Sequence, residues 1–112
     1  NAFIFLQDEA VAGRLYDVVV CDPPRAVYGS GWSEQERSRA VGYHRRITRR
    51  CLQVLRRGGL LVTCTCSQVM SEAGLLLLAV QQASAVEGRS VRLLWRTGTG
   101  GDHTLHPAWR PR

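Results

Sequence analysis

The stretch Val18-Val19-Val20-Cys21-Asp22-Pro23-Pro24 decides the fold. Its apolar first half predicts a buried strand over Tyr16–Cys21, which must end where the carboxylate and the two prolines follow. A second apolar run over Leu60–Cys64 is followed in the same way by Thr65-Cys66-Ser67. Short, near-continuous apolar runs are typical of strands that are buried on both faces of a parallel sheet. Since ligands bind beyond the carboxyl ends of such strands, the carboxylate of Asp22 and the thiol of Cys66 are expected to converge on one cleft.

Helical signals flank and separate these strands. Ser33 followed by Glu36 is a capping-box pattern that predicts the start of a helix. An apolar stripe follows at spacings of three and four residues, over Ala40, Tyr43, Ile47, Cys51 and Val54 or Leu55, and Gly58-Gly59 is predicted to end the helix. The predicted elements, in chain order, are a short helix from Phe3 to about Gly13, a strand over Tyr16–Cys21, a loop over Asp22–Trp32, a helix over Glu34–Arg56, a strand over Leu60–Cys64, a helix over Ser71–Ala85 with Ser71 as its cap and Gly88 at its close, a strand over Val91–Trp95, and a loop from Thr97 onward.

This alternation predicts an α/β fold. Crossovers of this length place successive strands parallel, in a mostly parallel sheet with helices on both faces. A doubly wound domain normally has more strands than the three predicted here. We therefore expect residues 1–112 to be a partial domain, the C-terminal half of a Rossmann-like domain. Unpaired sheet edges would then make self-association of the isolated chain possible.

Charge and composition restrict the partners. The net charge is +6, and all 15 basic residues are arginine, which favours an anionic partner such as nucleic acid. No apolar run is long enough for a membrane span, and no leader is visible, so a cytoplasmic protein is predicted. The four cysteines do not form a disulfide framework. No metal site is expected, because Cys64-x-Cys66 has no second ligand pair at metal spacing.

Two segments have residues that suit chemistry on a planar ring. Asp22-Pro23-Pro24 forms a rigid, extended loop that can present carbonyl and carboxylate oxygens to ring N–H donors, although a helix-entry turn with a capping Asp has the same residues. A cysteine at a strand end can add as thiolate to carbon 6 of a pyrimidine, which makes carbon 5 nucleophilic. Cys66 is the candidate for that role, and Asp22 would polarise the ring. Cys21 and Cys51 are interpreted as small buried hydrophobes, and Cys64 fits either role.

The combined motifs resemble the class I SAM-dependent RNA cytosine-5 methyltransferases, in particular the branch that modifies large-subunit ribosomal RNA. The resemblance runs from about Asn1 to Trp109. The residues that carry it are Asp22-Pro23-Pro24-Arg25, Gly42-Tyr43, Leu55 with Gly58-Gly59, Leu61–Ser67, and Asp102-His103 with His106-Pro107.

The resemblance implies a role for each matching residue. Cys66 would be the nucleophile and Asp22 its partner at the base, while Asp22, Pro23, Pro24 and Asn1 would bind the cofactor S-adenosyl-L-methionine (SAM). Arg25 would meet RNA phosphate, and Thr65 and Ser67 would lie on the RNA side. The family's glycine-rich SAM loop and its last strand have no counterpart in the chain. The 112 residues alone are therefore expected neither to bind SAM usefully nor to turn over.

Two alternatives remain open on the residues. A methyltransferase acting on an exocyclic amine also uses Asp-Pro-Pro but needs no cysteine. A catalytically silent Rossmann-like module could bind RNA through the arginines of the long helix, Arg45, Arg46, Arg49 and Arg50. The ordinary interpretation of those arginines is a solvated helix face.

Overall fold

Two parallel strands and three helices make up the described chain. The computed structural model describes residues 1–24, 33–67, 70 and 74–97. In chain order the elements are α1 (Ala2–Val11), β1 (Tyr16–Cys21), α2 (Glu34–Gln53), β2 (Leu55–Thr63) and α3 (Leu75–Val86). The α/β class is confirmed, and so is the predicted order of the elements from α1 to α3. Arg25–Trp32, Ser71 and the tail beyond Thr97 lie outside the described residues, and the predictions made for Arg25–Trp32 and for the tail stay predictions.

The two strands pair as the sequence predicts. β1 and β2 are parallel neighbours, with Val18 opposite Leu60 and Cys21 opposite Thr63. The N–H of Cys64 continues the pairing by donating to the carbonyl of Cys21 at 2.9 Å. Both strands therefore end at the same edge of the sheet.

The end of α2 differs from its prediction. The helix ends at Gln53 rather than at about Arg56, and β2 begins at Leu55 rather than at Leu60. The N–H of Tyr16 donates to the carbonyl of Val54 at 2.7 Å, and this pairing with β1 draws the chain into the sheet early.

Gly58 and Gly59 lie inside β2 instead of ending the helix. The register shifts between Tyr16 and Val18, and Gly58 has a φ of +74° that side chains rarely adopt. A Cβ on Gly59 would come within 2.9 Å of the carbonyl oxygen of Arg56. The glycine pair is therefore needed for a bulge, not for a helix cap.

The predicted third strand is wrong. Residues 89–97 form neither helix nor strand, and the side chains of Val91, Leu93, Leu94 and Trp95 are 46–62% exposed. A strand needs a neighbour for its backbone N–H and C=O groups, and the sheet of the described residues consists of β1 and β2 alone. β-propensity alone does not supply that neighbour.

The predicted cap of α2 is confirmed, whereas the predicted start of α3 is wrong. α3 begins at Leu75 rather than at Ser71, and its N-cap is Gly74, which has a φ of +69° and no side chain to accept a hydrogen bond. The hydroxyl of Ser33 accepts from the N–H of Glu36 at 3.1 Å, which confirms the start of α2. α1 ends at Val11, close to the predicted Gly13, and α3 ends at Val86, before Gly88. Within the described ranges no helix is long and apolar enough to cross a membrane.

The core lies between the sheet and α2. Ile47, Cys51 and Val54 pack against Cys21 of β1, and Leu6 of α1 completes the cluster. On the far side of α2, α3 packs through its small residues, among them the fully buried Ala79 and Ala83.

The other face of β1 is open. Val18 and Val20 are 52% and 65% exposed, whereas Cys21 on the alternate face is 5% exposed. Because side chains alternate along a strand, α2 covers one face of β1 and leaves the other to solvent in the described chain.

Candidate active site

The carboxyl ends of β1 and β2 bring Asp22 next to the cysteine segment. Cys64 is bonded through its N–H to Cys21, and Asp22 is the next residue along β1. Burial, followed by the negative charge of Asp22, raises the pKa of the Cys64 thiol. The structure therefore brings Asp22 beside Cys64, while the expectation that the thiol of Cys66 shares a cleft with Asp22 stays a prediction.

A cleft of about 700 Å³ opens between α1, β1 and α2. Its lining includes all the residues that the resemblance assigns to the cofactor: Asn1, Asp22, Pro23 and Pro24. Pro23 is buried, while Asp22 and Pro24 are exposed, so the Asp-Pro-Pro loop forms part of the cleft rim. The volume lies within the range of about 300–1,000 Å³ that small-molecule sites occupy.

The wall of the cleft is apolar and partly aromatic. Tyr43, Ile47 and Cys51 of α2 line it together with Phe3 of α1. The rings of Phe3 and Tyr43 meet edge to face at 6.1 Å. Sequence reasoning placed Tyr43 in an apolar helix stripe but did not assign this wall to the site. The four-residue spacing of Tyr43, Ile47 and Cys51 is the signal that could have found it.

Asn1 has a structural role as well as a place in the cleft. Its side-chain oxygen accepts from the N–H of Phe3 at 2.8 Å and caps α1. Only the amide NH₂ of this side chain then remains as a donor toward a ligand.

Cys66 lies in a turn that neighbouring hydroxyls hold. The N–H of Ser67 donates to the hydroxyl of Thr65 at 3.1 Å, and the N–H of Met70 donates to the hydroxyl of Ser67 at 3.3 Å. Ser67 is buried, whereas Cys66 between these two residues is exposed. The turn therefore presents the thiol of Cys66 to solvent. Cys66, Thr65 and Ser67 do not belong to the lining of the cleft that holds Asp22.

The other cysteines lie deeper. All four are free thiols, and Cys21 and Cys51 are buried in contact within the core. The hydrogen bond to Cys21, and then burial, raise the pKa of the Cys51 thiol. Since the thiolate is the nucleophile, Cys51 is ill suited to attack, and the burial of both thiols is in keeping with the predicted core role.

The arginines of α2 are not equivalent. Arg45 donates to Gln82 at 3.1 Å, and Arg49 pairs with Glu87 at 3.0 Å, so both are used to fix α3. Arg25 falls outside the described residues. Within those residues no group of three or more His, Cys, Asp or Glu side chains could hold a metal ion.

The chain was compared with protein families and with curated proteins. No family model matches the chain. The sequence is similar to ribosomal RNA methyltransferases. "Ribosomal RNA large subunit methyltransferase I" of Photobacterium profundum is 30% identical over 112 residues, which is 97% of this chain and 26% of the relative. Proteins of the same name from Aliivibrio fischeri (strain MJ11) and Vibrio vulnificus (strain YJ016) are 30% and 28% identical over 109 residues, again 97% of this chain and 26% of each relative.

The names of these relatives state large-subunit ribosomal RNA as the substrate and give no position on the base. The chain spans about a quarter of the length of the curated relatives that it matches.

Proposed function

We propose that this chain is part of the catalytic domain of a SAM-dependent methyltransferase of large-subunit ribosomal RNA, and that the reaction it serves is methylation of cytosine carbon 5. The similarity to ribosomal RNA methyltransferases supports the substrate class. The observation that carries the chemistry is that β1 and β2 end at the same edge of a parallel sheet, with Asp22 following one strand and Thr65-Cys66-Ser67 following the other.

The residues of the cleft fit SAM. The aromatic and aliphatic wall formed by Phe3, Tyr43 and Ile47 suits an adenine ring, and the carboxylate of Asp22 complements the positive charge of a sulfonium. The amide of Asn1 could donate to a ring nitrogen, and Pro23 and Pro24 keep the rim rigid. When bound, SAM supplies an electrophilic methyl group.

Cys66 is the proposed nucleophile. Its thiolate forms a bond to carbon 6 of cytosine, and the displaced electron pair makes carbon 5 the atom that accepts the methyl group. One oxygen of Asp22 accepts from the exocyclic amine, and a proton shared between the other oxygen and N3 neutralises the negative charge that develops on the ring. Loss of the carbon 5 proton then expels Cys66 as the thiolate and restores the aromatic ring.

The flanking residues have supporting roles in this proposal. Arg25 would contact RNA phosphate next to the Asp-Pro-Pro loop. Thr65 and Ser67 lie on the RNA side of the segment, and their hydrogen bonds to the backbone hold Cys66 outward.

Paired serine substitutions test the proposal in the full-length gene product. Methyl transfer from labelled SAM to ribosomal RNA should fall at least 100-fold in Cys66→Ser, because serine is a far weaker nucleophile at neutral pH. Cys64→Ser is the matched control two residues away, and it should retain activity within a few-fold. Full activity of Cys66→Ser would overturn the covalent route and favour methylation of an exocyclic amine.

A further inference from the structure

The arginines of α2 divide into two groups according to what they contact. Arg45 and Arg49 reach α3, where Gln82 and Glu87 hold them. Arg39, Arg46 and Arg50 form no hydrogen bond or ion pair with α3 among the described residues. We call these three residues the arginine ridge.

Helix geometry places the ridge in one line. The three positions fall within roughly 40° of each other around the axis, since a helix turns about 100° per residue. Arg46 is about 10.5 Å from Arg39 along the axis, and Arg50 is about 6 Å further on. The ridge lies opposite His44 and Thr48, which are buried.

None of the three ridge arginines forms an ion pair among the residues that the structure describes. The three ion pairs of the described residues join Arg14 to Glu9, Arg49 to Glu87 and Arg56 to Asp17, and none includes the ridge. Arg39 and Arg46 are exposed, and Arg50 donates only to the neutral amide of Gln53, at 3.4 Å. Arg39 and Arg46 therefore face solvent, while Arg50 is half-buried and its charge helps to lower the pKa of Glu87.

The ridge borders the cleft. Tyr43, which lines the cleft, is four residues after Arg39 and three residues before Arg46, so it lies beside the ridge on the helix surface. A strand whose phosphates follow the ridge would run past the mouth of the site.

We propose that the arginine ridge binds successive phosphates of the RNA strand that carries the target base. The inference rests on the proposed function, whose substrate is RNA. Guanidinium groups are suited to this contact because they donate to phosphate oxygens in a bidentate manner. A positively charged track beside an aromatic wall is also the usual arrangement for single-stranded nucleic acid.

The test is the salt dependence of RNA binding by the full-length gene product. A fluorescent single-stranded RNA oligonucleotide is titrated by anisotropy at several KCl concentrations. Each phosphate contact contributes about 0.7 to the slope of log K against log [salt] for single strands. The triple variant Arg39→Gln, Arg46→Gln, Arg50→Gln should lower that slope by about 2 and weaken binding roughly 50-fold at about 0.15 M salt.

Two further variants make the result specific. Arg57→Gln, Arg92→Gln, Arg96→Gln removes the same charge from exposed positions outside the ridge and should leave the slope nearly unchanged. Replacing the ridge with lysines keeps its charge and should keep most of the slope. An unchanged slope in the glutamine ridge variant, an equal fall in the control, or an equal loss in the lysine variant would overturn the proposal.

Methyl transfer by the wild-type protein, measured in parallel, separates this inference from the proposed function. Methylation together with an unchanged slope in the glutamine ridge variant would refute the ridge alone. A second outcome is that the slope of log K against log [salt] falls only in the glutamine ridge variant, while the wild type methylates no RNA. That outcome would refute the proposed function and leave the ridge as an RNA-binding surface.

Discussion

The two faces of β1 have nearly the same residue types and opposite surroundings. Cys21 is 5% exposed under α2, whereas Val18 and Val20 are 52% and 65% exposed on the other side. A strand that is apolar on both faces is suited to burial on both. The covered face contributes to the core of the described chain, and residues of both faces line the cleft that holds Asp22 and Pro23. The two faces are therefore expected to differ in how much each contributes to stability.

The largest expected effect comes from a matched pair of substitutions, one on the covered side of β1 and one on its open side. Val54 is 1% exposed in the cluster with Cys21, and Val20 is 65% exposed. Val54→Ala removes two buried methyl groups and should cost about 2 kcal/mol of unfolding free energy. Val20→Ala in the same 112-residue chain should cost only about 0.5 kcal/mol. Denaturant unfolding followed by circular dichroism measures both.

Equal costs for the two substitutions would contradict the division between faces. The same two substitutions in the full-length gene product test whether the open face is covered there. If further chain covers the open face there, the cost of Val20→Ala should rise toward that of Val54→Ala.

A smaller effect is expected from pH on the covered side. His44 is 3% exposed, and burial lowers its pKa from the usual 6.5. His44 is therefore protonated more readily in the unfolded chain than in the folded chain. The free energy of unfolding should fall as the pH drops below about 6.5. The free energy of unfolding, measured from pH 8 to pH 5, tests this.

His44→Gln provides the control for that profile. It removes the titrating group and should flatten the part of the profile between pH 7 and pH 5, since His103 and His106 are unchanged in both proteins. An identical pH dependence in the variant would show that His44 is not its source.

Local sequence signals were enough to predict the elements whose own residues determine whether they form a helix or a strand. The apolar run of β1 and the capping pattern at Ser33 predicted a strand and a helix start that the structure confirms. The same signals gave wrong predictions for segments whose structure depends on pairing with a distant strand. Arg56 continues a helical pattern, yet pairing with Tyr16 draws this segment into β2. Val91–Trp95 has strand residues but lacks a neighbouring strand among the described residues.

The candidate site shows the same limit. That Asp22 and the cysteine segment meet could be predicted, because parallel strands end at one edge. The contact of Phe3 with Tyr43 and the ion pair of Arg49 with Glu87 could not be predicted. Each joins two elements whose relative packing does not follow from local sequence patterns. The hydrogen bonds that hold Cys66 outward are local, and the Thr-Cys-Ser spacing is the signal that could have indicated them.

The proposed role of Cys66 is the central claim, and trapping the intermediate tests it most directly. RNA containing 5-fluorocytosine is incubated with the full-length gene product and SAM, because fluorine at carbon 5 blocks the elimination that would release the enzyme. Mass spectrometry of the digest should then find RNA attached to the peptide that contains Cys66. Absence of any adduct, while ordinary RNA is methylated under the same conditions, would contradict the covalent mechanism and return Cys66 to a structural role.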